Sequence, residues 1–300
     1  MRSTDPDDYA DPDSFKDNAS YVRAVHDRGL AFDLATVNRR RMLALFGGGL
    51  FALAGCAADT DEPAATGTSP PATTPATTTP TADNETADTA VIDVDEVPDE
   101  TAGPYPADGS NGPDVLTESG IVRSDITASY GSSDTVAGGI PMTIKLRIAD
   151  ADSDQPLAGA AVYLWHCDRE GRYSLYSSGA ENENYLRGVQ ETDSSGTATF
   201  TSIFPACYSG RWPHIHFEVF ESLASATSGS GQIVKTSQIA LREDACQQVF
   251  ASDGYSQSVQ NLSQTSLESD NVFGDDEGVD QLATVTGDLT GMTVALTVGV

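Results

Sequence analysis

Lysine is almost missing from this 300-residue chain, occurring only at Lys16, Lys145 and Lys235. All basic residues together number 16 against 45 Asp and Glu, a formal net charge of -29. A surface of that sign repels phosphate backbones and anionic headgroups, which excludes nucleic acid as a partner. The excess of acid otherwise suits a protein kept hydrated in strong salt, where surface repulsion is screened within a few ångströms. A halophilic source is the expectation. Cysteine is scarce as well, at Cys56, Cys167, Cys207 and Cys246. No two stand at the C-x-x-C spacing of a zinc ribbon or a dithiol redox site, so neither is expected. With Cys56 accounted for below, the others admit at most one disulfide and are read as structural. Helical periodicity is thin, and no apolar run reaches the roughly 20 residues that span a bilayer.

What is present falls into three blocks. Residues 1–37 are polar and mixed in charge; Asn38-Arg39-Arg40-Arg41 then precedes an apolar run, Met42 to Gly55, that contains Gly47, Gly48 and Gly49. Adjacent arginines before a short glycine-bearing apolar stretch look like a twin-arginine export signal. Leu53-Ala54-Gly55-Cys56 closes the run and resembles a lipobox. Residues 1–55 are thus expected to be a signal peptide, with Cys56 lipidated and the protein held on the extracellular face of the membrane by that anchor only. Residues 56–90 are Thr, Pro, Ala and acid, as in Thr73-Thr74-Pro75-Ala76-Thr77. Such a segment buries too little apolar surface to offset the entropy of ordering, and reads as a disordered linker. Asn84-Glu85-Thr86 and Asn261-Leu262-Ser263 match the short N-glycosylation pattern.

Residues 91–300 remain, enough for one domain. Met142, Ile144, Leu146 and Ile148 alternate with Thr143, Lys145 and Arg147, the period of a strand with one buried face. Ala160 to Trp165 reads as a strand buried on both faces. Further strands are expected at Thr197–Phe200, His214–Phe220, Ile233–Leu241 and Thr293–Val300. Short strands divided by Gly, Pro, Asp and Ser turns predict an all-β domain, an antiparallel β-sandwich.

The chemistry concentrates in Arg211-Trp212-Pro213-His214-Ile215-His216-Phe217-Glu218-Val219. Positions two apart on a strand share a face, so His214 and His216 project together while Ile215, Phe217 and Val219 enter the core. Two imidazoles about 7 Å apart along a strand can converge on one metal. Tyr173 and Tyr208 lie in neighbouring motifs. A phenol, with its pKa near 10, ligates at neutral pH only to a cation that strongly favours its anion. Ferric iron does so far better than zinc.

The ordered set Gly159-Ala160-x-Val162-x-x-Trp165, Gly171-x-Tyr173, Pro205-x-x-Tyr208 and Arg211-x-x-His214-x-His216-Phe217 resembles the intradiol ring-cleavage dioxygenase family, which includes catechol and protocatechuate dioxygenases. Thr101-Ala102-Gly103-Pro104-Tyr105 is similar to the family's Thr-Glu-Gly-Pro segment, and Thr236-Ser237-Gln238 resembles its Thr-Gln strand. The gap from Tyr208 to His214 is shorter than in better-known members. The resemblance implies a prealbumin-like catalytic sandwich holding Fe(3+) on Tyr173, Tyr208, His214 and His216. It also implies that Tyr208 leaves the metal when substrate arrives, that Arg211 stabilises charge on the ring, and that Gln238 assists there. The substrates would be a catechol-type ring and O2, and the product a muconate-type diacid. Family members are often dimeric, so a homodimer is admitted. Two other readings are open: a non-enzymatic surface module on a stalk, and a zinc hydrolase using His214, His216 and a carboxylate such as Glu218, which shares their face.

Overall fold

The computed structural model of the protein describes residues 94–300. The export signal, Cys56 and the linker expected before them lie outside the described residues. Two four-stranded sheets face each other. The strands are β1 (Pro141–Ala149), β2 (Ala161–Trp165), β3 (Arg187–Glu191), β4 (Thr197–Ile203), β5 (His214–Phe220), β6 (Ile233–Ala240), β7 (Thr284–Asp288) and β8 (Gly291–Gly299). The order is β4-β1-β8-β7 in one sheet and β3-β2-β5-β6 in the other. All pairings are antiparallel except β1 with β8, which run parallel because the chain returns to β1 only after crossing the second sheet.

The core between the sheets follows from alternation. Ile144, Leu146 and Ile148 of β1, Phe200 of β4 and Val294 of β8 meet Val162 and Leu164 of β2 and Ile215, Phe217 and Val219 of β5. The second sheet is buried on its other face as well. There Tyr163, Trp165 and Phe220 are covered by Ala107, Val115 and Leu116 of the N-terminal segment and by Tyr173 and Tyr176 of the β2–β3 loop. Every residue of β5 is therefore buried, histidines included.

Two strands and three helices escape a reading of apolar period. β3 carries Arg187 and Gly188 where a strand pattern expects apolar residues. Gly188 is required because a Cβ there would stand 2.5 Å from Ile126 Cγ2. β7 is a mostly exposed edge paired only with β8. The helices are short: α1 (Leu223–Ala226), α2 (Glu243–Phe250) and α3 (Ser256–Leu262). α2 buries Ala245, Cys246, Val249 and Phe250 on one face and carries Glu243 and Asp244 in its first turn, where the helix dipole favours acid. Cys167, Cys207 and Cys246 are all buried and free, so the one disulfide their number permits does not form. The Asn261 amide donates to the Cys207 carbonyl at 2.8 Å, which ties the side chain of that sequon to the loop bearing Tyr208.

Ile148 is fully buried between the sheets. Ile148→Ala is expected to cost about 2–5 kcal/mol of stability. Urea denaturation should show a lower midpoint with an unchanged slope.

Candidate metal centre

His214 and His216 occupy the covered face of β5, and their Nε2 atoms are 3.2 Å apart. The Tyr208 hydroxyl is 3.2 Å from His214 Nε2 and the Tyr173 hydroxyl 3.4 Å from the same atom. The structure thus brings together all four side chains singled out as ligands, from β5 and from the two loops that precede β3 and β5.

Local sequence explains why those loops converge. In the first, the Asp168 carboxylate accepts from the Glu170 and Arg172 amides at 3.0 and 2.9 Å, from Arg172 Nε at 2.9 Å and from the Tyr185 hydroxyl at 3.1 Å. Gly171, at φ +84°, lets this turn lie against Tyr208; a Cβ there would be 3.2 Å from the Tyr208 Cβ. Tyr173 is then fixed by its amide, which donates to Ser177 Oγ at 2.9 Å. On the opposite side Tyr105 stacks on the Tyr173 ring at 4.7 Å. Trp165, directly across the strand pair from His216, stacks on its imidazole at 4.9 Å and 6°.

Protonation states follow from hydrogen bonding and burial. His214 Nδ1 lies 2.5 Å from the Trp212 carbonyl, which can only accept, so Nδ1 carries the proton and Nε2 a lone pair. Burial, reinforced by the Arg211 charge, lowers the His214 pKa to about 3; burial and His214 likewise hold His216 well below its ordinary value. Both imidazoles are neutral. His216 Nδ1 is buried without a hydrogen-bond partner. Burial and the neighbouring Tyr208 push the Tyr173 phenol well above its ordinary value, while Arg211 pulls the other way. The His214 Nε2 lone pair, a second imidazole nitrogen and two phenol oxygens form a cluster of donor atoms that a cation could share. Contacts of 3.2–3.4 Å between the donor atoms suit bonds of about 2 Å to one shared ion. The residues present fit a hard cation.

The other predicted residues are close by. Arg211 is buried; its Nε donates to Asp270 at 3.0 Å and its Nη2 to Gln238 Oε1 at 2.7 Å. Gln238 lies directly across from His216 on β6, and its Nε2 donates to the Thr101 carbonyl at 2.9 Å. Glu218 lies two positions beyond His216, and burial, reinforced by Asp108, pushes its carboxyl well above the usual carboxylate range. Among the described residues no three His, Cys, Asp or Glu side chains are grouped to hold a metal, so the zinc reading lacks its third ligand.

Two residues escaped sequence reasoning. Asp270 sits in an irregular C-terminal stretch without a marker beyond its Asx-turn residue type. Arg187 is a buried cation whose guanidinium donates to Ser174 Oγ and carbonyl, the Pro106 carbonyl and the Tyr163 hydroxyl at 3.0–3.2 Å. It ties the loop bearing Tyr173 to the segment bearing Tyr105. Its only trace in the sequence is a basic residue amid Tyr185, Leu186 and Val189.

Comparison with known proteins agrees with this architecture. Residues 111–228 match a family model described as Dioxygenase, a span holding Tyr173, Tyr208, Arg211, His214 and His216. The described domain has the intradiol dioxygenase fold. The intradiol ring-cleavage dioxygenase from Tetranychus urticae is similar at 24% identity and a TM-score of 0.54, covering 68% of this chain and 94% of that one. A second solved dioxygenase is 25% identical with a TM-score of 0.54, covering 68% and 93% of the two chains. The resemblance read from the motifs therefore stands.

Gly103 of the intradiol fold adopts φ +70°, and a Cβ there would be 3.3 Å from His216 Cε1. Gly103→Ala is expected to lose roughly 1–3 kcal/mol through left-handed backbone strain and to displace the imidazole. Thermal unfolding and a metal titration should both register the change.

Proposed function

We propose that the protein is a ferric intradiol dioxygenase that opens a catechol-type ring between its two hydroxyl-bearing carbons, consuming O2 and giving a muconate-type diacid. The observation that carries this reading is the convergence of two phenols and two neutral imidazoles in one buried place, Tyr173, Tyr208, His214 and His216. Ferric iron, when bound there, supplies the Lewis acidity that keeps the phenols ionised and draws electron density from a chelated catecholate. Zinc binds thiolate, imidazole and carboxylate rather than a pair of phenols.

The chain's own residues account for the rest. Tyr173 is buried and locked by Ser177 and Tyr105, so it is the permanent phenol ligand. Tyr208 is only half-buried, on the exposed turn around Ser209 and Gly210, and is the phenol that swings out. As it leaves, its oxygen can take a proton from a catechol hydroxyl. Arg211, fixed beside the imidazoles, stabilises negative charge as it develops on the ring. The Tyr105 ring, stacked on Tyr173, supplies an aromatic wall. Export on a twin-arginine signal and anchoring through Cys56 belong to the same proposal, as does a homodimer; they place the reaction outside the cell, on environmental aromatics.

Purified iron-loaded protein is expected to be red from phenolate-to-iron charge transfer, and Tyr173→Phe and Tyr208→Phe are each expected to abolish or displace that band. Anaerobic titration with catechols should shift the band, and admission of O2 should yield the ring-opened acid. A colourless iron-loaded protein would sink the ligand assignment. A band that shifts without ring opening would reduce the protein to a catechol-binding module.

A further inference from the structure

Asp270 lies 59 residues downstream of Arg211, yet its carboxylate is heavily hydrogen-bonded beside the site. Oδ1 and Oδ2 accept Arg211 Nε at 3.3 and 3.0 Å, Oδ2 accepts the Trp212 amide at 2.6 Å, and Oδ1 accepts the amides of Val272 and Phe273 at 2.9 and 3.2 Å. The side chains of Asp270 and Arg211 are 0% and 3% exposed, so the pair is shielded from solvent screening. The Val272 and Phe273 amides hold the carboxylate in its own turn, so its position is set independently of the guanidinium that it accepts from. The Phe273 ring, 5.9 Å from the guanidinium carbon, closes one side. Gln238 then takes Nη2 at 2.7 Å and is itself tied to Thr101.

We propose that Asp270 is the positioning residue of Arg211: its carboxylate sets where the guanidinium stands relative to Tyr173, His214 and His216, and cancels part of its charge there. An arginine side chain has several rotatable bonds, and in a chain this rich in acid many carboxylates compete for it. A buried partner anchored by its own backbone removes that competition. Charge stabilisation in a transition state depends on donors that need no rearrangement when the charge develops. The last stretch of the chain, which follows the core strands β5 and β6 and contributes no ligand, thereby becomes part of the working site.

This inference rests on the ferric intradiol reading, and its test separates the two. Full-length, iron-loaded wild type is compared with Asp270→Asn, Arg211→Gln, the double variant, and Ile148→Ala as a control for stability alone. A colourless, inactive wild type would count against the ferric reading itself. With a coloured, active wild type, Asp270→Asn is expected to lower kcat and kcat/KM together by roughly 100-fold, the scale of a misplaced catalytic group. Its ferric band should also be displaced, which Ile148→Ala should not reproduce. An Asp270→Asn protein with the wild-type band and kcat, or with a deficit no larger than that of Ile148→Ala, would overturn the inference. Should Asp270→Asn alone leave a buried, uncompensated guanidinium and fail to fold, the double variant lacks that charge and decides the matter. Its kcat should match that of Arg211→Gln within about twofold, because Asp270 acts through Arg211. A further large fall in the double variant would overturn it.

Discussion

The structure turns on keeping two neutral imidazoles, 3.2 Å apart, dry and fixed on one strand. β5 can hold them because its sheet is buried on both faces: the sandwich core lies on one side, and the N-terminal segment and β2–β3 loop on the other. Burial keeps the imidazoles from taking a second proton and leaves the His214 Nε2 lone pair facing inward. That lone pair, the second imidazole nitrogen and two phenol oxygens together form a donor set that one cation could share. Fold and chemistry are thus linked through desolvation.

The same constraint explains where the scarce cations stand. Among the described residues, Arg187, Arg211 and Lys235 are buried around the second sheet. Each is matched to acceptors. Arg187 takes carbonyls and hydroxyls, Arg211 takes Asp270 and Gln238, and Lys235 takes Glu96 at 2.6 Å and the Val97 carbonyl at 3.1 Å. Lys235 and Arg187 secure the covering segments to the sheet, which keeps water from the imidazoles. Arg211 does the same for the C-terminal segment and also reaches the site. These buried guanidinium and ammonium groups each brace a segment against the sheet.

Much was legible from residue order. Alternation at Met142–Ile148 and the H-x-H of His214 and His216 each state which side chains share a face, because strand geometry alone determines it. The core strands β1, β2, β4, β5, β6 and β8 follow from such local patterns. β3 was hidden because a buried arginine and a glycine occupy a strand that packs against a loop rather than a core layer. β7 was hidden because an exposed edge has no apolar face to show. The parallel pairing of β1 with β8 joins segments some 150 residues apart in register, and nothing local to either strand encodes it.

By itself the sequence determined the sandwich class, the face bearing the imidazoles and the residue types able to hold a hard trivalent cation, since these depend on side-chain period and donor chemistry. Only the tertiary structure decided that Tyr173 and Tyr208 meet the same nitrogen of His214, that Arg187 stitches two site loops together, and that Asp270 faces Arg211. Those contacts join segments separated by up to dozens of residues. They exist because burying the second sheet on both sides forces irregular loops to satisfy their polar groups against one another.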